Sequence, residues 1–232
     1  MAYRPIFVPI FKGDCFVKTK IIEFKYFNGF AISQKQKSID SLHDNAKEGS
    51  SFSILEISSK SRDDLGVKLS AFNLFIETVK NKKRFSVESA FQASKVFESG
   101  GPYVDLLDKT SREAKKDERL TTSGKLKQFK FYGSEWELEP KTAFYDWLYI
   151  NALIKNKILA EELLEFDAFT DIEFNQVKSI NCQAYSAALF VSLTKRGIIN
   201  DVFSSKERYI EIITSSTISN SYEDKSSQPS LL

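Results

Sequence analysis

The residues best suited to catalysis lie in the segment 85–97, whose sequence predicts an amphipathic helix. At 100° per residue, Glu88, Gln92 and Lys95 fall on one stripe beside an apolar face. Ser86 is a candidate N-cap, which places Glu88 in the first turn, where the helix dipole favours a carboxylate. Glu88 could therefore act on a sugar bond as acid, base or stabiliser of positive charge at an anomeric carbon, with Lys95 as an anion partner. A surface salt bridge between Glu88 and Lys95 is the alternative interpretation.

The composition of the 232-residue chain directs attention to carboxylates, lysines and aromatic side chains. One histidine and two cysteines leave little room for His/Cys metal sites, cysteine–histidine pairs or a disulfide framework. The helical spacing around His43 predicts a packing role for that side chain, and we expect Cys15 and Cys182 to act as small buried hydrophobic residues. We therefore expect neither a metal nor a redox cofactor.

The N-terminal residues lack the basic and apolar regions that form a secretory signal. No stretch reaches the roughly 18 apolar residues that a membrane-spanning helix requires. These features and the two widely separated cysteines predict a reducing, cytoplasmic location.

The near-neutral total charge of +2 hides two blocks of opposite sign. Residues 80–130 hold 13 basic and 7 acidic side chains, whereas residues 135–173 hold 3 basic and 10 acidic ones. The basic block is able to attract a polyphosphate or a nucleic-acid backbone. Alternatively, the two blocks form a solvated surface and face each other in the fold.

Apolar periodicity and turn residues predict an α+β fold, a single predominantly helical domain over residues 1–213 with small antiparallel β-hairpins. Helical spacing extends over residues 38–47, 65–79, 85–97, 140–154, 158–166 and 180–196. Thr110 begins a capping-box sequence, and Gly197 follows the last of these helices as a C-terminal cap. The predicted strands are 21–27 and 30–32, joined at Asn28-Gly29, then 51–58 and a hairpin around Gly133. The serine-rich segment 214–232 is predicted to be a disordered tail.

The segment Ser86-Val-Glu88-Ser-Ala-Phe-Gln92-Ala-Ser-Lys95 resembles the signature of the NADAR family, which reads roughly T/S-x-E-x-x-F-Q-x-x-K. The family's later A-K pair fits Ala114-Lys115, and Phe27-Asn-Gly-Phe-Ala31 is similar to its F-S-N-F-type motif. The chain most resembles the subgroup of NADAR antitoxins that are encoded beside DarT-type ADP-ribosyltransferases. The resemblance covers nearly the whole predicted domain, through further motifs that begin at Arg4, Ala31, Leu55, Gly100, Thr110, Thr170 and Ser179.

This resemblance implies an N-glycosidase that hydrolyses ADP-ribose from guanine bases of ADP-ribosylated DNA and so reverses the action of a DarT-type toxin. The implied partners are the modified nucleic acid as substrate, ADP-ribose as product and the toxin itself, without a membrane. The oxocarbenium-like transition state of such a reaction needs a nearby negative charge and either an activated water or a nucleophile. Two alternatives remain open: an N-glycosidase of a free metabolite, such as a riboflavin-pathway intermediate, and a non-catalytic protein that neutralises the toxin by contact.

The resemblance also implies roles for single residues. Glu88 matches the motif glutamate, and either Asp171 or Glu173 would supply the family's C-terminal acid, with Asp171 as our choice. Trp136 fits the family's functional tryptophan after a shift of one residue, and a core role in the hairpin is the alternative. The predicted substrate-binding residues are Asn28, Gln34, Lys37, Arg84, Gln92, Lys95, Glu173 and Asn181.

Lys35 and Lys37 lie between the first predicted hairpin and a helix that we expect to be capped near Ser38. Two ammonium groups beside a helix N-terminus could bind a diphosphate. Alternatively, a desolvated lysine, Lys35 in our assignment, could attack the anomeric carbon and form a Schiff base. Without these roles, Lys35 and Lys37 would be two solvated loop lysines.

Overall fold

The computed structural model describes residues 1–47, 52–79, 82–176 and 179–215. Its strands are β1 (Ala2–Pro9), β2 (Val17–Phe24), β3 (Ile54–Glu56), β4 (Phe75–Glu77), β5 (Arg84–Ser86), β6 (Lys95–Phe97), β7 (Leu126–Phe131), β8 (Ser134–Trp136) and β9 (Ala168–Thr170). Its α-helices are α1 (Ile32–Lys47), α2 (Asp64–Lys68), α3 (Val87–Ala93), α4 (Ser111–Lys115), α5 (Arg119–Thr122), α6 (Ala143–Lys155), α7 (Lys157–Leu163), α8 (Gln183–Lys195), α9 (Ile199–Val202) and α10 (Lys206–Ser215). A 3-10 helix, Val104–Asp108, precedes α4.

The largest sheet is mixed rather than a simple hairpin. Its strand order is β2-β1-β9-β3, in which β1 and β2 are antiparallel and β3 and β9 are parallel. The antiparallel pair β4-β5 and the three-stranded sheet β6-β7-β8 are separate. Helices contain 43% of the described residues and strands 20%. The α+β class is therefore confirmed, but the expected helical predominance and the restriction to small hairpins are not.

Helix α1 starts at Ile32, six residues before the predicted start at 38. The hairpin predicted at Asn28-Gly29 is wrong, because β2 ends at Phe24 and pairs with β1 instead. The Ser38 hydroxyl accepts a hydrogen bond from the amide of Phe27 at 2.9 Å, which ties the connecting segment to α1. Lys35 and Lys37 consequently lie inside α1 and not in a loop before it.

The long helix predicted over 65–79 is also wrong. Helix α2 ends at Lys68, and the side chains that follow form hydrogen bonds with the backbone that terminate it. Ser70 Oγ donates to the carbonyl of Val67 at 2.8 Å, and Asn73 Nδ2 donates to the same oxygen at 2.9 Å. Serine and asparagine compete with helical hydrogen bonds in this way, so the chain turns and enters β4.

Several local sequence signals are confirmed. Ser86 caps α3 through the amide of Ser89 at 3.0 Å, and Thr110 forms a complete capping box with Glu113 at α4. Tyr132 and Gly133 both have positive φ angles, 45° and 84°, and join β7 to β8 as the predicted hairpin. Gly197 follows α8 with φ of 72°. The strand predicted at 51–58 is present as the shorter β3, with residue 51 outside the described range.

The main core surrounds α6 and α8, whose apolar residues are buried on nearly all sides. Small residues in α8, including Ala184, Ala187 and Ala188, are fully buried, which allows close approach of neighbouring elements. A second, smaller core lies beneath α1 and includes Ile39, Leu42 and Ala46. Within the described ranges, every helix is too short or too polar to cross a lipid bilayer. Thr214 and Ser215 end α10, and the remainder of the predicted tail, 216–232, lies outside the described residues.

Candidate active site

Helix α3 places Glu88 in a buried and well-held position. The amide of Glu88 donates to the carbonyl of Ala71 at 2.9 Å, which fixes the first turn of the helix. Glu88 is only 6% exposed, and its Oε1 accepts a hydrogen bond from Gln92 Nε2 at 2.8 Å. Lys115 Nζ lies 3.8 Å from the same oxygen. A buried carboxylate needs such partners to offset the loss of hydration.

Helix α4 carries Lys115 to Glu88 because hydroxyl groups join α4 to α3. Ser111 Oγ lies within hydrogen-bond distance of Ser86 Oγ, at 2.7 Å, and Ser89 Oγ donates to the carbonyl of Lys109 at 3.1 Å. In the A-K pair of the sequence motif, Ala114 is buried in the core and Lys115 lies beside the carboxylate of Glu88.

Lys95 lies near Glu88, although not for the predicted reason. Helix α3 ends at Ala93, and Lys95 is the first residue of β6 rather than part of a helical stripe. Its Nζ lies 4.9 Å from the ring centroid of Phe91. Burial lowers the pKa of Lys95, the charge of Lys115 lowers it further, and the charge of Glu88 opposes both effects. Lys95 is thus a partly desolvated amine close to a carboxylate.

Asp171 follows β9 directly and is buried. Its Oδ1 accepts from the amide of Glu173 at 3.0 Å, and its Oδ2 accepts from Gln183 Nε2 at 3.0 Å. Burial, followed by the negative charge of Glu56, raises the pKa of Asp171 to about 8. Glu173 has an exposed side chain that pairs with Lys35 at 3.2 Å. Of the two acids that the sequence left open, Asp171 therefore has the environment of a proton donor.

Gln183, the first residue of α8, connects the surroundings of the two acids. Its Nε2 donates to Asp171 and to the carbonyl of Ile57 at 2.7 Å, and its Oε1 accepts from the amide of Ala71 at 2.7 Å. The carbonyl of Ala71 in turn holds the amide of Glu88. One side-chain amide thus fixes both acid-bearing segments relative to each other.

Tyr145, on α6, lies within electrostatic reach of both acids. Burial raises the pKa of Tyr145, and the charges of Glu88 and Asp171 raise it further. Its ring contacts Phe91 edge-on, with the centroids 5.2 Å apart. The sequence did not reveal this residue, because it lies in an apolar run that predicts only a core helix.

Lys35 is held as an ammonium group. Its Nζ donates to the hydroxyl of Tyr26 at 2.6 Å and pairs with Glu173. Burial acts to lower the pKa of Lys35, but Tyr26 and Glu173 together raise it overall. The protonated amine suits an anion contact better than nucleophilic attack. Lys37 and Asn28 are exposed on the same part of the chain, and Gln34 is half-buried.

Trp136 is part of the aromatic core. Its ring lies 5.5 Å from Phe144 and 5.0 Å from Trp147, between ring centroids, and Trp136 is 2% exposed. These contacts support the packing role that the sequence left as the alternative. Arg84 is exposed on β5, where its guanidinium stacks on Phe75 at 4.3 Å.

Two acceptor oxygens at predicted substrate-binding residues are buried without a hydrogen-bond partner. They are Oε1 of Gln92 and Oδ1 of Asn181, and neither finds a donor among the described residues. The other side of the Gln92 amide already binds Glu88. Since a buried unpaired acceptor is unfavourable by about 1–3 kcal/mol, these atoms are suited to bind donor groups of a ligand.

A protein-family model described as a DarT1-associated NADAR antitoxin matches residues 2–223. The match includes both candidate acids, Gln183 and all the predicted substrate-binding residues. No curated protein matches the chain.

Proposed function

The chain belongs to the DarT1-associated NADAR antitoxin family, and we propose that it neutralises a DarT-type toxin as an enzyme, by hydrolysing ADP-ribose from guanine bases of ADP-ribosylated DNA. The observation that carries this proposal is the arrangement of Glu88 and Asp171. Both are buried, their backbone segments are joined through Gln183, and both act electrostatically on Tyr145. Most enzymes that hydrolyse glycosidic bonds use two carboxyl groups whose environments give them different pKa values.

The two acids would divide the chemistry between them. In the proposed reaction, the bond between the anomeric carbon and the base nitrogen breaks, its electron pair goes to that nitrogen, and Asp171 delivers the proton. Glu88 stabilises the positive charge that develops on the ribose. The oxygen of a water molecule then bonds to the anomeric carbon, and its released proton returns to Asp171, which restores the starting state.

The surrounding polar groups fit the rest of the substrate. ADP-ribose carries a diphosphate, and the ammonium groups of Lys115 and Lys35 lie beside Glu88 and Glu173, respectively. The unpaired acceptor oxygens of Gln92 and Asn181 would bind ribose hydroxyl groups, which are hydrogen-bond donors. These features support a site for a sugar next to a diphosphate.

Glu88→Gln tests the proposal most directly. This substitution keeps the size of the side chain and removes its charge, so we expect release of ADP-ribose from modified DNA to fall by about 100-fold or more, while binding of ADP-ribose survives. The measurements are product release by chromatography and ADP-ribose binding by calorimetry. Glu165→Gln, on an exposed part of the chain, is the matched control and should retain full activity.

Unaltered turnover by Glu88→Gln would remove Glu88 from catalysis. A panel of substrates separates the remaining interpretations: preference for a free nucleotide-like metabolite over modified DNA would indicate a metabolic N-glycosidase. Protection of toxin-expressing cells by the inactive Glu88→Gln variant, together with a stable complex with the toxin, would instead indicate neutralisation by contact.

A further inference from the structure

A third buried carboxyl group lies next to Asp171 and has no part in the reaction described above. Glu56 ends β3 and is opposite Thr170 in the parallel pairing of β3 with β9. Its Oε2 accepts from Thr170 Oγ1 at 2.6 Å, and its Oε1 accepts from the amide of Ile172 at 2.9 Å. These two residues immediately precede and follow Asp171. Glu56 thus holds the side chain of Thr170 and the backbone of Ile172, on either side of the candidate acid, while being only 2% exposed itself.

We propose that Glu56 is a positioning residue for Asp171: it fixes the backbone that carries this acid, and its negative charge keeps the proton on the Asp171 carboxyl until the base leaves. This inference rests on the proposed function, in which Asp171 protonates the leaving base.

The hydrogen-bond donors around the two acids decide which of them holds the proton. Burial raises the pKa of Glu56 and of Asp171 alike. Glu56 accepts from Thr170 Oγ1 at 2.6 Å and from the amide of Ile172 at 2.9 Å, whereas both donors to Asp171, the amide of Glu173 and Gln183 Nε2, lie at 3.0 Å. Donors stabilise the charged form of a carboxyl group. Because the hydrogen bonds to Glu56 are the shorter ones, we assign the negative charge to Glu56 and the proton to Asp171.

His43 contacts Thr170 from the other side. Its Nε2 lies 2.8 Å from Thr170 Oγ1. Because Thr170 donates its only hydroxyl proton to Glu56, the His43 nitrogen must be the donor in this contact. Burial lowers the pKa of His43 to about 4, so the imidazole is neutral and carries its proton on Nε2. His43, Thr170 and Glu56 form a row of hydrogen bonds that ends on the Glu56 carboxylate.

The other titratable groups around Asp171 leave Glu56 as its main charged neighbour. The negative charge of Glu173, in the turn that follows, also raises the pKa of Asp171, but by less than that of Glu56. Burial raises the pKa of Tyr145 and Tyr149 on α6 and of Cys182 before α8, so these groups are neutral near pH 7. The amide of Gln183 approaches from α8 without a charge.

Glu56→Gln tests the inference because glutamine has the same shape without the charge. The loss of a neighbouring negative charge lowers the pKa of Asp171, so the alkaline limb of the activity profile should move to lower pH by about one unit, with little change on the acid side. Carbon-13 NMR of the side-chain carboxyl groups should show the same shift in the titration of Asp171. A purely structural role for Glu56 would reduce activity at every pH without moving either curve.

Two further variants make the outcome decisive. Thr170→Val removes one donor from Glu56 and should move the Asp171 titration in the same direction by a smaller amount, even if Glu56→Gln fails to fold. Glu165→Gln should leave both curves in place. If the wild-type protein releases no ADP-ribose, the proposed function fails, and the NMR titration still tests the pairing of Glu56 with Asp171. An unchanged Asp171 titration in both Glu56→Gln and Thr170→Val would overturn the inference.

Discussion

Lys95 and Lys35 differ in the groups that surround their amines, and this difference bears on a covalent route. Burial and the charge of Lys115 lower the pKa of Lys95, whereas Tyr26 and Glu173 hold Lys35 protonated. An unprotonated amine is the form that attacks a carbon atom. If a lysine takes part, its nitrogen bonds to the anomeric carbon, the base leaves, and the ribose ring opens to a protonated imine that water then hydrolyses.

Borohydride trapping distinguishes the two lysines. If the covalent route operates, ADP-ribosylated oligonucleotide and borohydride should give a stable adduct that mass spectrometry maps to Lys95, because its amine is the less protonated of the two. Lys95→Arg should abolish the adduct, and the matched variant Lys35→Arg should retain it. An adduct at Lys35 would contradict this assignment, and full turnover without any adduct would favour direct attack by water.

Contacts between candidate site residues were predictable from the sequence where both residues lie in one local segment. Glu88 and Gln92 are four residues apart on a capped helix, and the structure places them in contact. The positions of Glu56 and Tyr145 beside the candidate acids were not predictable, because they depend on neighbours from distant segments. The pairing of Glu56 with Thr170, for example, joins residues 114 positions apart, and no periodicity in either segment encodes that contact.

Gly101 connects the loop before the 3-10 helix to the strand that carries Lys95. It has φ of 91°, and a Cβ atom there would lie 2.2 Å from the carbonyl oxygen of Lys95. Gly133, in the β7–β8 turn, has a similar φ of 84°, but a Cβ atom there would meet nothing within 4 Å. Substitution of the two glycines therefore separates two losses of stability: the one caused by a positive φ, and the one caused by a clash of Cβ with a neighbouring carbonyl oxygen.

We expect Gly133→Ala to lower the free energy of unfolding by about 1 kcal/mol, the usual cost of a positive φ for a residue with a Cβ atom. Gly101→Ala has the same unfavourable φ and also forces β6 to move. We therefore expect it to lower the free energy of unfolding by about 3 kcal/mol or more. Urea unfolding of both variants measures the difference. Equal decreases in the free energy of unfolding would show that the backbone at Lys95 moves away from the new Cβ atom without a measurable loss of stability.

The elements were predictable to different degrees for a physical reason. Capping residues and turn glycines act on their immediate neighbours, and Ser86, Thr110, Gly133 and Gly197 did so as predicted. The apolar spacing over 65–79 was overridden by hydrogen bonds from Ser70 and Asn73. The mixed sheet could not be inferred, because its central pairing depends on which distant strands meet.

The buried carboxyl group of Asp146 links the stability of the whole molecule to pH. It lies on α6, where Ser186 Oγ donates to Oδ1 at 2.5 Å. Burial raises the pKa of Asp146 to about 7, against hydrogen bonds from Ser186 and Thr142 that lower it. The folded state therefore binds a proton that the unfolded chain has already lost above pH 4, and its stability falls as the pH rises towards 7.

Asp146→Asn should remove this part of the pH dependence, because asparagine keeps the acceptor for Ser186 without an ionisable group. Between pH 5 and pH 8 we expect the wild-type protein to lose about 2–3 kcal/mol of unfolding free energy more than the variant does. Urea unfolding of both proteins at the two pH values provides the measurement. Asp171 is present in both and contributes equally, so identical pH dependence in the two proteins would contradict the assignment.

The parallel pairing of β3 with β9 also determines when the two parts of the candidate active site can meet during synthesis. Thr170 is made 114 residues after its partner Glu56. At synthesis rates of about 5–20 residues per second, that interval lasts about 6–23 s. Once residue 88 has been added, the nascent chain contains Glu88 without its second acid for the rest of this interval, because both Asp171 and Gln183 are still to come. Under the proposed function, activity therefore begins only after Gln183 has been added, and a premature stop before Asp171 leaves half of a candidate active site.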